Sequence, residues 1–300
     1  MKLLKEILNQ IFIDIMKELY SVSKLLFTVA TLTTFGLTCL GFVKPILVLF
    51  FITYPVIFLA FLCIYNFSHA VIIEAKGIRD GVIPQITKPD FPFLKVIGSR
   101  KIKIVYNSSI DFQDFRNQIE TKLKTICKYN DIYYYGLISV PLNVSIGYRI
   151  GQKIRTHIYN FDRTKSNWLE ISNFDKINCF TTSKYTGDNP GSVNIVLPFS
   201  YRVDLNKINN GYDTYVINLE TQSIDLDNSY ASIMKKITDI IIEYDNAHFF
   251  TAINNGLAFY LGMRLNDSNL PNAYFYEYGG SDNPEYTFSI NIKTLEKRIL

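Results

Sequence analysis

PLNVSIGYRIGQK, residues 141–153, and AINNGLAFYLGMR, residues 252–264, align without a gap at an offset of 111 residues. In this register Asn143 meets Asn254, Gly147 meets Ala258, Gly151 meets Gly262 and Lys153 meets Arg264. Ile146, Ile150, Leu257 and Leu261 fill matching apolar positions, and a segment carrying Tyr159 or Tyr276 follows each copy. Small residues four apart share one face of a helix and let its backbone approach a neighbour closely. An Asn at or before the first turn can cap free amides. Two matching copies predict a duplicated unit, not a chance packing pattern.

Working outward, each copy sits in an alternation of strand and helix. Around the first, residues 102–107 (IKIVYN) read as a buried strand and 111–130 as a helix with Phe112, Phe115, Ile119, Leu123 and Ile126 inward. Residues 132–141 read as a strand, 142–153 as a helix, and 155–161 and 168–172 as strands. Around the second, strands are expected at 193–199, 212–220 and 247–253, helices at 228–245 and 254–265, and strands at 273–278 and 286–292. This order predicts two Rossmann-like α/β halves, about 102–180 and 190–300, each with a parallel sheet. Gly77, Gly81, Pro84, Pro89 and Pro92 make 67–101 read as a linker.

The chain is 48% hydrophobic and 19% charged, with a mean hydropathy of +0.09, and the apolar excess is localised. From Leu25 to Tyr65 the only charged residue is Lys44. On either side of it lies a stretch long enough to span ~30 Å of hydrocarbon. Gly41, Lys44 and Pro45 mark a turn, so a two-helix transmembrane hairpin is expected over 24–66, with spans at 25–43 and 45–65. Lys2, Lys5, Lys17 and Lys24 before it, and Lys76, Arg79 and Lys88 after it, predict that both termini are cytoplasmic. A signal peptide fits poorly, since no small-residue cleavage site precedes the second stretch. Residues 1–23 place Leu4, Leu8, Ile11, Ile15 and Leu19 on one helical face, for the membrane surface or for self-association. Cys39, Cys63, Cys127 and Cys179 show no pairing or metal-like spacing. A net charge of +4 with no basic block argues against duplex DNA or RNA as a partner.

Two α/β halves imply a pseudo-twofold crevice beyond the carboxyl ends of the strands, where helix amino ends present free N–H groups. The loops there are 107–109, 139–145, 200–202 and 251–256, and none holds an acidic residue, which suits a ligand with several phosphates. The candidate contacts are Asn107, Ser108, Pro141, Asn143, Ser145, Asn254, Asn255 and Gly256, with Trp168, Tyr201 or Tyr148 for stacking on bases. Arg202 reads equally as a phosphate ligand or a solvated loop residue. No phosphate-loop, Gly-x-Ser-x-Gly or His-Glu-x-x-His motif occurs. His69, His157 and His248 are too dispersed to hold a metal, so no enzyme activity, metal or cofactor is expected.

The run HFFTAINNGLAFYLGMRLNDSNLPNAYFYEYGGSDNPEYTFSINI, residues 248–292, resembles the C-terminal signature of SAVED domains: an aromatic strand, a small-residue helix ending in Leu-Gly, a YEY strand and Tyr286 in a last strand. Residues 140–171, with Trp168, are similar to its partner half, and the resemblance covers about residues 100–300. The family commonly has proline where Ala252 or Ile253 stands, whereas the first half keeps Pro141. The resemblance implies a fusion of two CARF-like units that senses a cyclic di- or trinucleotide made by a CD-NTase in a bacterial CBASS antiphage system. It also implies a transmembrane effector that oligomerises on ligand binding and disrupts the membrane in abortive infection. A sensor that degrades its own cyclic ligand, and a ligand-free membrane scaffold, are the alternatives.

Overall fold

The computed structural model describes residues 70–78, 89, 91, 100–107, 112–124, 126–129, 131–152, 155–162, 166–171, 180–208, 210–219, 230–266, 270–278 and 285–300. The amphipathic segment 1–23 and the hairpin 24–66 lie outside the described residues. Among the described residues no helix is long and apolar enough to cross a membrane. The chain divides into two units, 1–70 with 91–100, and 71–90 with 101–300; the second holds the α/β architecture save for Ala70 and Arg100, the first residues of its two opening strands.

In chain order its elements are β1 (Ala70–Ile78), β2 (Arg100–Asn107), α1 (Phe112–Lys122), β3 (Asp131–Leu137), α2 (Val140–Ile150), β4 (Arg155–Asp162) and β5 (Asn167–Ile171). There follow β6 (Phe180–Tyr185), β7 (Ser192–Leu197), β8 (Asp213–Leu219), α3 (Tyr230–Ile241), β9 (Asn246–Thr251), α4 (Asn255–Arg264), β10 (Asn272–Tyr278), β11 (Tyr286–Asn291) and β12 (Glu296–Ile299). One sheet has the order β2-β1-β3-β4-β5 and the other β12-β11-β10-β9-β7-β8-β6. Within the second, β8-β7-β9-β10-β11 repeats the order of the first, and β6 and β12 extend its two edges. Both halves therefore run strand, strand, helix, strand, helix, strand, strand. The pairings agree: β3–β4 and β9–β10 are parallel, β4–β5 and β10–β11 antiparallel. Buried parallel strands need apolar residues on both faces, and β7 (SVNIVL) is buried at every position.

Part of the linker expected over 67–101 is a strand. β1 lies between β2 and β3, with Val71, Ile73 and Ala75 in the core. Its charges disguise it: Glu74 is buried, and Lys76 and Lys101 hold its two oxygens at 2.9 and 2.7 Å. Burial alone would raise the Glu74 pKa, but the bonds and charges of the two lysines outweigh it and hold it at about 2. β3 ends at Leu137, four residues short of the expectation, because Pro141 belongs in the first turn of α2. At the other end, Gly151 takes φ +66° and donates its N–H to Gly147 O, which stops α2 before Lys153.

The duplication is present, and its register is not 111. Helices α2 and α4 cross with backbones almost touching: a Cβ on Gly147 would lie 2.0 Å from Phe259 O, and one on Gly262 2.0 Å from Val144 O. These reciprocal contacts relate Gly147 to Gly262 and Val144 to Phe259, each 115 residues apart, as are the starts of β3 and β9. The gapless alignment slips by one helical turn because small residues recur four apart in each copy, so the pattern matches itself after a shift of four. Each helix also packs on the other half's sheet, α2 on β10 and β11, α4 on β3 and β4. The rings of Tyr134 in β3 and Phe259 in α4 stack with centroids 3.6 Å apart.

Candidate functional site

The amino ends of α2 and α4 meet beside the carboxyl ends of β3, β4 and β9. Their junction is a buried amide. Asn143, fully buried in the first turns of α2, accepts from Tyr134 OH and donates through Nδ2 to Ile138 O at 3.0 Å and to Asn255 Oδ1 at 2.9 Å. Burial drives the Tyr134 pKa far above its ordinary range, so the phenol stays a neutral donor. The side-chain bonds Asn143 makes here are internal, which gives it a positioning role toward α4.

The two helix starts differ. In α4, Asn254 is the cap and its side chain accepts from Leu257 N–H at 2.8 Å, while Gly256 N–H points to Asn160 Oδ1 of β4 at 3.4 Å. In α2, Ser139 occupies the cap position but makes no side-chain cap bond, and its buried Oγ has no hydrogen-bond partner among the described residues. Thr251, 4% exposed at the end of β9, likewise has a buried Oγ1 without a partner there. Under the 115-residue register Ser139 matches Asn254, Pro141 matches Gly256 and Asn143 matches Ala258. The pseudo-twofold is therefore broken where the two amino ends meet, one being filled by protein oxygens and the other lacking a side-chain cap.

Aromatic clusters flank the carboxyl edge of each sheet. In the first half Trp168 makes edge contacts with Tyr135 and Phe161, centroids 5.4 and 5.3 Å away. In the second, Tyr286 contacts Phe250 at 5.0 Å and Tyr278 at 5.6 Å, and Tyr201 reaches Tyr278 at 5.6 Å. Burial raises the Tyr286 pKa, helped by Tyr201, Tyr278 and Asp204. Tyr201 is 47% exposed and Trp168 only 7%, so Tyr201 presents the more accessible ring.

Of the other sequence candidates, Pro141 is buried in the first turn of α2, and Ser145 is buried with its hydroxyl donating to Pro141 O at 2.7 Å. Arg202 is exposed on the loop after β7. Asn107 closes the edge strand β2, and Ser108 lies outside the described residues. Tyr148, a stacking candidate, is nine residues along α2 from Ser139, about 13 Å away, and its carbonyl accepts from Asn266 at the far end of the helix. Sequence reasoning missed Asn160 and Tyr134, whose roles exist only once β4, β3 and α4 are assembled.

The histidines lie on strands. His157 Nδ1 is 2.6 Å from Glu170 Oε1, and its ring stacks on Tyr133 at 4.6 Å. His248 Nδ1 is 2.9 Å from Tyr276 OH; burial, with a smaller push from Arg298, lowers its pKa to about 4. Among the described residues no group of three or more His, Cys, Asp or Glu could hold a metal ion.

A family model described as SAVED, the SMODS-associated and fused to various effectors sensor domain, matches residues 115–292. No curated protein matches the chain. Among solved structures it is similar to the Acinetobacter baumannii Cap4 SAVED/CARF-domain containing receptor with the cyclic trinucleotide 3'3'3'-cAAA. That match has a TM-score of 0.50 and 11% identity, covering 71% of this chain and 50% of that one. The same receptor with 2'3'3'-cAAA matches with a TM-score of 0.49 and 10% identity, covering 73% and 49%. The first of these likenesses establishes a SAVED/CARF-like α/β fold, and this chain spans about half the length of the receptor chains it matches.

Proposed function

Because the chain belongs to the SAVED family of sensor domains, we propose that it is a membrane-anchored receptor for a cyclic di- or trinucleotide, bound where α2 and α4 meet. The observation that carries this reading is the meeting of two helix amino ends, joined by the Asn143–Asn255 bond, with that of α2 left without a side-chain cap beside the buried Ser139 hydroxyl. A phosphate placed there would supply the missing acceptor. The fold shared with a receptor solved with a cyclic trinucleotide supports the ligand class.

On this reading the ligand comes from a CD-NTase of a CBASS antiphage system. Its binding favours oligomers of the sensor, and the hairpin at 24–66 then disrupts the inner membrane to end the infection. The chain acts as receptor and effector and not as an enzyme. The first test is a thermal-shift screen of the full chain against cyclic di- and trinucleotides. A ligand at about a hundred times its Kd adds about 2.7 kcal/mol, a rise of roughly 5–10 °C for a domain of this size. No shift with any member would overturn the receptor reading. Linear product from a labelled cyclic trinucleotide would overturn the non-catalytic part. Ligand-triggered dye release from liposomes, abolished by removing residues 1–66, is the outcome expected for the effector.

A further inference from the structure

RKIKIVYNSSIDFQDFRNQIETKLKTICK, residues 100–128, holds seven Lys and Arg against three Asp and Glu, a surplus equal to the whole chain's net charge of +4. Among the described residues, β2, the outer strand of the five-stranded sheet, carries Arg100, Lys101 and Lys103, and α1 with the turns after it carries Asp114, Arg116, Glu120, Lys122, Lys124 and Lys128. Helix α1 lies along that edge. Gln118 Nε2 donates to Val105 O at 2.9 Å while its Oε1 accepts from Val105 N–H at 3.1 Å, and Lys122 Nζ donates to Lys103 O at 2.6 Å. The helix thus fills outward-facing backbone groups of β2, and the edge is blocked against strand addition by a second chain at those positions.

What the edge still offers is charge. Lys101 is paired with Glu74 and Arg116 with Glu120, whereas Lys103, Lys124 and Lys128 are exposed and form no ion pair among the described residues. The neighbouring aromatic rings are spent internally: Tyr106 packs on Phe115 at 5.6 Å and on Phe112 at 6.5 Å. A basic face without a free ring suits a field of phosphates better than single-stranded nucleic acid, which uses stacking platforms. Chain reach points the same way. Ala70 opens β1, the sheet neighbour of β2, only five residues after Tyr65, where the second expected span ends, and five residues span at most about 18 Å.

We infer that the β2–α1 edge rests on anionic phospholipid headgroups, through Lys103, Lys124 and Lys128. This rests on the membrane-anchored reading above and is independent of the cyclic ligand. Headgroup contact orients the sensor against the bilayer and makes that orientation depend on lipid charge and salt.

The test places the full chain in nanodiscs of neutral phosphatidylcholine, or of phosphatidylcholine with phosphatidylglycerol. Amine labelling is followed lysine by lysine by mass spectrometry, with the exposed Lys235 of α3 as internal reference. Labelling of Lys103, Lys124 and Lys128 should fall about fivefold each in the anionic discs, recover at high salt, and leave Lys235 unchanged. Equal labelling in both discs overturns the inference and leaves the membrane reading standing. Failure to enter either disc overturns both. Equal protection by a short RNA in neutral discs also overturns it, by assigning the face to nucleic acid.

Discussion

Gly147→Ala is the sharpest test of how the two halves are joined. The added Cβ would lie 2.0 Å from Phe259 O and 2.9 Å from Phe259 C, where ordinary contact needs about 3.4 Å. The obstacle is helix backbone and has no rotamer to change, so α2 and α4 must separate by roughly 1.4 Å. Overpacking of this kind costs about 1–3 kcal/mol, and a rigid obstacle puts it near the upper end. Alanine's better helix propensity returns about 1 kcal/mol, leaving a net loss of about 2 kcal/mol. For a domain of this size the melting temperature should fall by about 4–8 °C. Thermal unfolding of the full chain can be followed by Trp168, its single tryptophan, buried between Tyr135 and Phe161. Gly262→Ala, which meets Val144 O at the same distance, should cost a similar amount. The double variant should cost less than the sum, because helices already separated accept the second methyl group more easily. The 111-residue alignment makes the opposite forecast, since it places Ala258 opposite Gly147. An unchanged or raised melting temperature for Gly147→Ala would refute the reciprocal backbone contact and the 115-residue register with it.

Asn143→Ala should cost about 2–4 kcal/mol in denaturant titration, because it strands Tyr134 OH and Asn255 Oδ1 together with Ile138 O. Asn254→Ala should cost about 1 kcal/mol through the lost cap. Ser139→Ala should leave stability nearly unchanged and instead weaken cyclic nucleotide binding, measured by calorimetry. Glu74 has a folded-state pKa near 2 against an ordinary 4.5, so its contribution is complete above pH 4.5 and is lost as the pH falls toward 2. Discounted for the half-exposed lysines, that contribution is about 2 kcal/mol. The stability gap between wild type and Glu74→Gln should therefore narrow across that window, and a gap constant from pH 6 to pH 3 would count against it.

The strand–helix alternation and the duplication were legible because period and apolar content suffice for both. The expected strands at 155–161, 212–220 and 273–278 fall within a residue or two of β4, β8 and β10. β1 was not legible, because Glu74, Lys76 and Gly77 look like linker until Lys101 from the next strand arrives to neutralise the buried carboxylate. β6 and β12 were missed for a related reason: edge strands such as FTTSKY and EKRI are mostly exposed and carry little apolar signal. Spacing on a helix also cannot tell a residue facing the crevice from one facing the other helix. Asn143 and Ser145 have the right position for ligand contact and spend their polar atoms inside the protein.

If a ligand binds where α2 and α4 meet, the crossing of the two helices is the route by which its signal spreads. Because α4 packs on β3 and β4 while α2 packs on β10 and β11, each helix bears on the other half's sheet as well as being tied to its own chain segment. A glycine-to-carbonyl contact on each side leaves no compressible side chain between them, so a shift of one helix is passed to the other and not absorbed. A ligand anchored at the open amino end of α2 therefore pulls on the second half's sheet, and through Asn143 and Asn255 on the capped start of α4, which bears on the first. A ligand held by one half alone would still move both. Substitutions at Gly147 and Gly262 should then weaken the coupling of ligand binding to assembly more than binding itself. Light scattering with and without a cyclic nucleotide, set beside calorimetric affinities, separates the two; equal losses in both would reduce the crossing to a stability element.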